Sequence, residues 1–440
     1  MVLLTYNILK NWILFKRSKG TPKAERRSTQ IILGKEDQMQ SHDAIRQIGF
    51  IQQSLSQNRK KIGFFLGAGC PLSIRVNVRM EGETEKSDAL IPDVAGLTGI
   101  IHGKLAGNDP KNPTTWDKVI DVVKLDGGND RNIEHLLSQI RLLRSVAGKG
   151  TARGMTEAEL QSLDEGICKI ISEEVSKSLP DKKSPYHNLA IWARSVQRAK
   201  PVHLFTTNYD LLAEQAFEES SAPYFDGFIG ARRAFFDLGA VEDEDLLPPR
   251  WTRLWKMHGS LNWRLLNGKS VVRSNENSDD QSYLIYPSHL KYDQSRKMPY
   301  LAMLDRLKDF LLNDSSLLFM SGYSFGDEHI NDMICRSLET NPSAHAFAFL
   351  FGSLDSAQYT QAKECASSTP NLSVLAFDKG IIGRIEGEWS GTDEPTTFSL
   401  PSGVISVDAS TKICELKLGD FMVLGNLLKN LSGRSDADEF

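Results

Sequence analysis

The stretch that decides the fold is Ile62-Gly63-Phe64-Phe65-Leu66-Gly67-Ala68-Gly69, an apolar run that ends in a glycine turn. An uninterrupted apolar run of this length predicts a strand buried on both faces, as in a parallel sheet. Glycines after such a strand let the main chain approach a ligand, because they carry no Cβ. The signal is weak by itself. The third glycine of the dinucleotide-binding fingerprint is missing, and a tight turn without a ligand explains the same residues.

Similar apolar runs recur along the chain, and several precede a helical pattern. Strands are predicted at residues 202–206, 254–257, 283–286, 317–320 and 346–350, and helices at 211–217 and 330–338. This repetition predicts an α/β fold with a Rossmann-like, doubly wound parallel sheet. Because such sheets bind ligands at the carboxyl ends of their strands, we expect the site residues directly after the apolar runs.

The chain divides into segments of different composition. We expect residues 1–40 to be a poorly ordered N-terminal extension, and residues 432–440 to be a frayed tail. Residues 41–340 form the predicted ligand-binding domain, with a helical insertion or cap at about 105–200. Residues 341–431 are expected to complete the α/β domain or to form an oligomer interface.

Composition excludes several classes of protein. The 440 residues include 52 Lys and Arg against 56 Asp and Glu, and 40% are hydrophobic, which is typical of a globular chain. Without a basic excess, nothing supports direct nucleic-acid binding. The apolar run at residues 1–15 is too short to span a bilayer. Five scattered cysteines without paired spacing predict a cytoplasmic protein with no metal site built from cysteine.

Polar residues follow the later strands where a ligand is expected. Thr206-Thr207-Asn208-Tyr209-Asp210 places a carboxamide and a carboxylate together, which suits recognition of a ribose or an amide. Alternatively, Asn208 or Asp210 caps the following helix, and both roles are compatible.

Two further motifs complete the set. Lys256-Met257-His258-Gly259-Ser260 offers an imidazole that can accept a proton near neutral pH, although most histidines have no catalytic role. The segment from Ser321 to Asp327, Ser-Gly-Tyr-Ser-Phe-Gly-Asp, can hold a phosphate or a ribose, or can be a turn in which Asp327 caps a helix.

In this order the four motifs resemble those of the sirtuin superfamily, over roughly residues 60–340. The resemblance implies an NAD-binding catalytic domain in which Gly67, Ala68 and Gly69 hold the NAD phosphates. It implies that Asn208 and Asp210, with Thr207 in place of a glutamine, surround the nicotinamide ribose and carboxamide. His258 matches the catalytic histidine, and Gly322 and Ser324 match a phosphate and ribose contact. Asp93, in Ile91-Pro92-Asp93-Val94-Ala95, is a weaker candidate for the same site.

The departures from the sirtuin pattern are informative. Deacetylase sirtuins carry cysteine pairs after the histidine, whereas this chain has no cysteine between Cys168 and Cys335, so no zinc module is expected. The motifs F-T-T-N-Y-D, H-G-S-L-x-W, L-I-Y-P and G-Y-S-F-G-D-x-H-I-N, with Asn132-Ile133-Glu134, are similar to sirtuin-like NADases of bacterial antiphage defence encoded beside a HerA-type ATPase.

The resemblance implies an NAD+ hydrolase that depletes NAD, with catalytic residues Asn208 and His258, NAD as substrate and no metal. It also implies a homo-oligomer and a HerA-type ATPase partner. Two alternatives remain open, a protein deacylase and a catalytically silent sensor of NAD or ADP-ribose. A deacylase needs a peptide cleft that a zinc module normally helps to frame. A sensor needs the phosphate-binding loops but not the histidine.

Overall fold

The strand Ile62–Leu66 lies at the centre of a ten-stranded sheet in the computed structural model of the protein. The structure describes residues 40–81, 84–180, 183–195, 198–266, 270–274, 299–391, 402–407 and 414–433. The strands of the sheet, numbered in chain order, are β1 (Ser41–Asp43), β2 (Ile62–Leu66), β3 (Val202–Thr206), β4 (Tyr224–Phe225), β5 (Thr252–Lys256), β6 (Leu317–Ser321), β7 (His345–Phe349), β8 (Leu372–Leu375), β9 (Lys379–Ile382) and β10 (Ile385–Ser390).

The strand order is β1-β10-β9-β8-β7-β6-β2-β3-β5-β4. The seven strands from β8 to β4 pair in parallel, whereas β9 is antiparallel to both β8 and β10. After β2 the chain builds β3, β4 and β5 on one side and then β6, β7 and β8 on the other. The sheet is therefore doubly wound, with its switch point between β2 and β6, and the predicted Rossmann-like α/β class is confirmed.

Helices cover the sheet and extend beyond it. They are α1 (Ala44–Leu55), α2 (Gly69–Leu72), α3 (Val94–Leu105), α4 (Thr115–Leu125), α5 (Ile133–Ala147), α6 (Glu157–Val175), α7 (Pro185–Ser195), α8 (Leu212–Glu219), α9 (Leu238–Glu242), α10 (Tyr300–Leu312), α11 (Glu328–Thr340), α12 (Thr360–Ser368) and α13 (Phe421–Leu431). Smaller strand groups are the hairpins Arg75–Glu81 with Thr84–Ala89, Thr151–Ala152 with Met155–Thr156, and Ile405–Val407 with Cys414–Leu416, and a four-stranded sheet of Phe228–Ile229, Ala234–Phe236, Trp263–Leu266 and Ser270–Arg273.

Every residue of the central strands β2, β3, β5 and β6 is buried, because both faces of the sheet are covered. Side chains alternate between the faces, so Phe64 belongs to one hydrophobic cluster and Phe65 to the other. Phe64 meets Trp192 of α7 edge-on, at 5.3 Å between ring centroids. On the opposite face, Phe65 lies 4.7 Å from Tyr323 by the same measure. The aromatic ring of Tyr323 thereby ties the turn after β6 to the core.

Helices α3 to α6 form a layer beside the carboxyl ends of the strands, and local sequence signals define their starts. Thr114 and Thr156 each begin a helix with a capping box, pairing with Asp117 and Glu159 respectively. Asn132 caps α5 by accepting hydrogen bonds from the N–H groups of Glu134 and His135. Each cap satisfies N–H groups that the first turn of a helix leaves without partners.

Some element boundaries differ from the predictions. Apolar residues recur at helical spacing from Leu160 to Leu179 and predict a longer helix than α6, which ends at Val175. Pro180 follows closely, and the residue before a proline disfavours helical geometry. Leu179 is nevertheless buried. The predicted strand at residues 283–286 lies outside the described residues, as do residues 1–39 of the extension and residues 434–440 of the tail. Within the described residues, no helix combines the length and the apolar character needed to cross a membrane.

The close packing of Gly419 against the end of β7 gives a test of the fold. A Cβ at Gly419 would lie 1.9 Å from the carbonyl oxygen of Leu350, whereas one at Gly99 of α3 would meet no atom within 4 Å. We expect Gly419→Ala to lower the free energy of unfolding by about 1–3 kcal/mol through overpacking. Gly99→Ala is the matched control and should raise it by about 0.5–1 kcal/mol. Urea unfolding followed by tryptophan fluorescence measures both, and equal midpoints for the two variants would contradict the packing.

Candidate functional site

The loops that follow β2, β3, β5 and β6 meet at one end of the sheet and line a cavity of about 370 Å³. Helices α3, α5 and α6 supply the facing wall. The residues from the strand ends are Ala68, Pro71, Thr207, Asn208, Tyr209, Asp210, His258, Gly322, Tyr323, Ser324, Gly326 and Asp327. The residues from the helical side are Ile91, Pro92, Val94, Leu97, Asn132, Ile133, Glu134, Ile171 and Val175. The cavity therefore lies at the switch point, where this fold class binds its ligands.

Glycines bring the loops after β2 and β6 into direct main-chain contact. The N–H of Gly67 donates to the carbonyl of Ser321 at 3.0 Å, and the N–H of Gly69 donates to that of Gly322 at 2.9 Å. A Cβ at Gly67 would lie 2.3 Å from the oxygen of Gly322, so a side chain there requires the loops to separate. Ala68 therefore lines the cavity, whereas Gly67 and Gly69 hold the two loops together next to it.

The Asn208 side chain is fixed by the loop that follows β2. Its Nδ2 donates to the carbonyl of Gly67 at 3.1 Å, and its main-chain N–H donates to Thr206 Oγ1 at 3.0 Å. The Thr206 hydroxyl in turn donates to the carbonyl of Leu66 at 2.8 Å. These bonds orient the carboxamide at the cavity wall without using its oxygen. Thr207 also lines the cavity, next to Asn208.

Asp210 lies in the same loop but is buried more deeply. Its Oδ1 accepts a hydrogen bond from the N–H of Leu212 at 3.1 Å, so the carboxylate supports the start of α8 as well as lining the cavity. Burial raises the pKa of Asp210, and the nearby charge of Lys256 partly opposes that rise. Of the two alternatives for this loop, Asp210 makes the helix-start bond while Asn208 is held against Gly67.

His258 follows β5 and faces a carboxylate from another loop. Its Nε2 lies 3.4 Å from Oδ2 of Asp327. Gly259, directly after the histidine, has a φ of +100°, a conformation that L side chains rarely adopt. The other oxygen of Asp327 accepts from the N–H groups of His329 and Ile330 at 3.1 and 3.2 Å. The predicted cap of α11 at Asp327 is thus confirmed, and the same side chain also reaches the histidine.

Buried hydrogen bonds fix the conformation of the turn that follows β6. The Tyr323 hydroxyl donates to Asn331 Oδ1 at 2.7 Å, and Nδ2 of Asn331 donates to the carbonyl of Phe325 at 2.7 Å. Gly322 and Phe325 both have positive φ, at +65° and +61°. This geometry turns Tyr323 into the core and leaves Ser324 exposed at the cavity.

Asp93 is the one predicted site residue placed differently from the rest. It is exposed and caps α3, accepting from the N–H of Gly96 at 2.7 Å. Its neighbours Pro92 and Val94 line the cavity, whereas Asp93 itself does not. The structure therefore gathers Ala68, Thr207, Asn208, Asp210, His258, Gly322 and Ser324 at the cavity, with Gly67 and Gly69 behind it.

Two acidic residues enter the site in roles that the sequence did not assign. The sequence predicts Asp327 only as a helix cap, yet it pairs with His258. Glu134 lies far from the strand ends in sequence and comes to the cavity on α5. The motif Asn132-Ile133-Glu134 was the available signal for Glu134, but it did not reveal that the first turn of α5 faces the strand ends.

The charged residues that line the cavity are acidic. Glu134, Asp210 and Asp327 line it, and the described lining residues include neither lysine nor arginine. His258 is the one lining side chain in the described set that can become cationic. Across the described ranges, no group of three or more His, Cys, Asp or Glu side chains is placed to hold a metal ion. The arrangement suits a ligand that carries or develops positive charge.

Comparison with known proteins finds a family match over part of the chain. No curated protein shows detectable sequence similarity to the chain. A solved structure from work on the structural basis for the mechanism and regulation of Sir2 enzymes covers 72% of this chain and 88% of its own, at 13% identity and a TM-score of 0.30. A score that low indicates no shared fold by itself. A family model described as a SIR2-like domain matches residues 202–369. The segment that is similar to this family supplies three of the four loops at the cavity.

Proposed function

We propose that the protein is an NAD+ hydrolase that releases nicotinamide and ADP-ribose and acts as an effector of antiphage defence by depleting NAD. The observation that carries the activity is the convergence of Asn208, His258 and three carboxylates in one cavity at the switch point of the sheet. The match of residues 202–369 to a SIR2-like domain supports an NAD-related enzyme in general terms. The defence role rests on the motif resemblance described above.

The chemistry fits the charge of the cavity. Hydrolysis breaks the bond between the nicotinamide nitrogen and the anomeric carbon, and the electron pair leaves with nicotinamide, which becomes neutral. Positive charge shifts to the ribose, and a water oxygen then bonds to the anomeric carbon and loses a proton. Carboxylates in a partly closed cavity stabilise such an oxocarbenium-like state more strongly than they would in water. No metal is needed, because the leaving group is already cationic in the substrate.

The residues of the chain have distinct roles in this proposal. Asn208, whose Nδ2 is held by Gly67, presents its oxygen to orient the ribose and the attacking water. His258 accepts the proton of that water as a general base, and Asp327 at 3.4 Å stabilises the imidazolium that forms. Asp210 is assigned to the nicotinamide carboxamide, and Ser324 with the turn at Gly322 to the phosphates and the second ribose.

Two other activities make different demands on the same site. A protein deacylase would release nicotinamide only when an acylated peptide is present. A sensor would bind NAD or ADP-ribose and release nothing. Measuring nicotinamide release from NAD by the purified chain, with and without an acyl-lysine peptide, therefore separates the three. Release without peptide supports the hydrolase, and release that depends on peptide would replace it with the deacylase.

The first test concerns Asn208. We expect Asn208→Ala to lower nicotinamide release by about 10²-fold or more, because it removes the group that orients the water and the ribose. Asn426→Ala is the matched control, since Asn426 is exposed on α13, far along the chain from the cavity loops. Thermal unfolding should give similar midpoints for both variants. Wild-type turnover by a folded Asn208→Ala protein would remove Asn208 from catalysis.

The second test separates the charge of Asp327 from its role as a helix cap. Asparagine caps helices as well as aspartate does, so Asp327→Asn keeps α11 and removes the carboxylate beside His258. We expect kcat to fall by about tenfold or more, since opposite charges about 4 Å apart attract by about 1 kcal/mol in water and about 4 kcal/mol near a protein surface. His258→Ala should lower kcat by about 10²-fold or more.

The control for Asp327→Asn is Asp420→Asn. Asp420 caps α13 in the same way, accepting from the N–H of Met422 at 2.9 Å, and does not line the cavity. Steady-state kinetics on NAD measure all three variants. An unchanged kcat in Asp327→Asn would show that the carboxylate acts only as a cap.

The third test addresses assembly. We propose that the protein forms a homo-oligomer and that a HerA-type ATPase controls its activity, as the motif resemblance implies. A partner shifts an equilibrium between closed and open sites only by binding one state more tightly, so the effect should saturate as the partner is titrated. Size exclusion with light scattering should give a mass well above the 49.1 kDa of one chain. A monomer whose full activity does not respond to the ATPase would contradict this proposal and leave the hydrolase proposal intact.

A further inference from the structure

A buried lysine lies directly beneath the loop that carries Asn208. Lys256 is the last residue of β5 and is 1% exposed. Its Nζ lies 2.8 Å from Oε1 of Glu214, which is itself buried, and also donates to the main-chain carbonyl of Asp210. A second carbonyl, that of Tyr209, lies 3.5 Å away. Each proton of the ammonium group therefore has an oxygen in reach, as a buried lysine requires.

These contacts join the two parts of the proposed catalytic centre. Two of the three acceptors are carbonyls of the loop at residues 207–210, and the third is on α8, which follows that loop. The lysine itself stands two residues before His258. One side chain thus connects the strand that ends at the histidine with the loop that carries the asparagine.

The loop at residues 207–210 has further contacts besides those of Lys256. Asn208 is bonded to Gly67, and Asp210 Oδ1 accepts from the N–H of Leu212, the first residue of α8. The N–H of Leu261 donates to the carbonyl of Tyr209 at 3.0 Å, from the same segment that follows β5. Lys256 is therefore the side chain from β5 that fixes the carbonyl of Asp210.

We infer that Lys256, together with Glu214, is a positioning residue that holds the loop of residues 207–210 so that Asn208 and His258 act on the same ligand. This inference rests on the proposed hydrolase function. A buried ion pair is by itself poor evidence for stability, because apolar residues of similar size often serve the fold as well or better. The directed contacts to loop carbonyls are what an apolar replacement cannot reproduce.

Arg253 provides a matched comparison on the same strand. It is also 1% exposed, and its guanidinium donates to the carbonyls of Trp251 and Leu247, at 2.7 and 3.2 Å. Arg253 thus holds a loop that precedes β5, whereas Lys256 holds the loop that carries Asn208. Replacing either residue by methionine removes a buried cation with its main-chain contacts. Only the replacement of Lys256 is expected to disturb the cavity.

The experiment compares Lys256→Met with Arg253→Met in the full-length protein. We expect Lys256→Met to lower kcat for nicotinamide release by about 10²-fold, since small misplacements of reacting groups have effects of this size, and to change KM far less. Arg253→Met should keep kcat within about threefold of the wild type when rates are normalised to folded protein. Equal losses of kcat in the two variants, or a wild-type kcat in Lys256→Met, would overturn the inference.

Two further measurements keep the test decisive. If Lys256→Met leaves Glu214 unpaired and does not fold, the double variant Lys256→Met/Glu214→Leu removes both charges and should fold with the same loss of kcat. Hydrogen exchange of the amides at residues 207–211 should quicken in the Lys256 variants and not in Arg253→Met. Absence of nicotinamide release by the wild type, both alone and with the ATPase, would refute the proposed function, whereas unchanged exchange at 207–211 would refute the role of Lys256 whatever the activity.

Discussion

The structure depends most on the direct main-chain contact between the loops that leave β2 and β6. Gly67 and Gly69 donate to carbonyls of Ser321 and Gly322, and there is no room between these loops for a Cβ. Neighbouring strands at a switch point send their chains to opposite sides of the sheet, so their ends would otherwise separate and leave a wide crevice. Here the glycines let the two loops touch, so the crevice is closed between β2 and β6. The carbonyl of Gly67 then becomes available to hold Asn208, and the cavity acquires a fixed back wall.

The opposite wall of the cavity is built by α3, α5 and α6, which come from a different part of the chain. This difference explains which site residues the sequence could predict. Side chains that follow apolar strands in a parallel sheet must lie at one edge, so Asn208, His258 and Ser324 were predictable from pattern alone. Glu134 was not, because its place depends on how α5 packs. The sequence predicts Asp327 as a cap, but its distance to His258 depends on how β6 pairs with β2, β2 with β3 and β3 with β5, which no local pattern encodes.

The same reasoning applies to the fold. Five residues of continuous apolar sequence were enough to place β2, because a strand covered on both faces needs no polar position. In β3 the apolar residues Val202, Leu204 and Phe205 carry the signal, although His203 and Thr206 are polar. Lys256 shows that the burial of a residue cannot always be predicted from sequence pattern. A lysine at the end of an apolar run suggests the edge of the buried region, yet its side chain is among the most buried in the described part of the chain. The partners that make this burial tolerable, Glu214 and two loop carbonyls, come from segments more than forty residues away.

The charge pattern has a consequence for how the proposed reaction is catalysed. A cavity lined by Glu134, Asp210 and Asp327, with no lysine or arginine among its described residues, offers little electrostatic attraction to a pyrophosphate. The same carboxylates favour the positive charge that develops on the ribose as nicotinamide leaves. Interactions that are stronger in the transition state than in the bound substrate raise kcat rather than affinity. The arrangement therefore suits an enzyme that binds an abundant dinucleotide modestly and turns it over once its loops are held in place, which is the role assigned to Lys256.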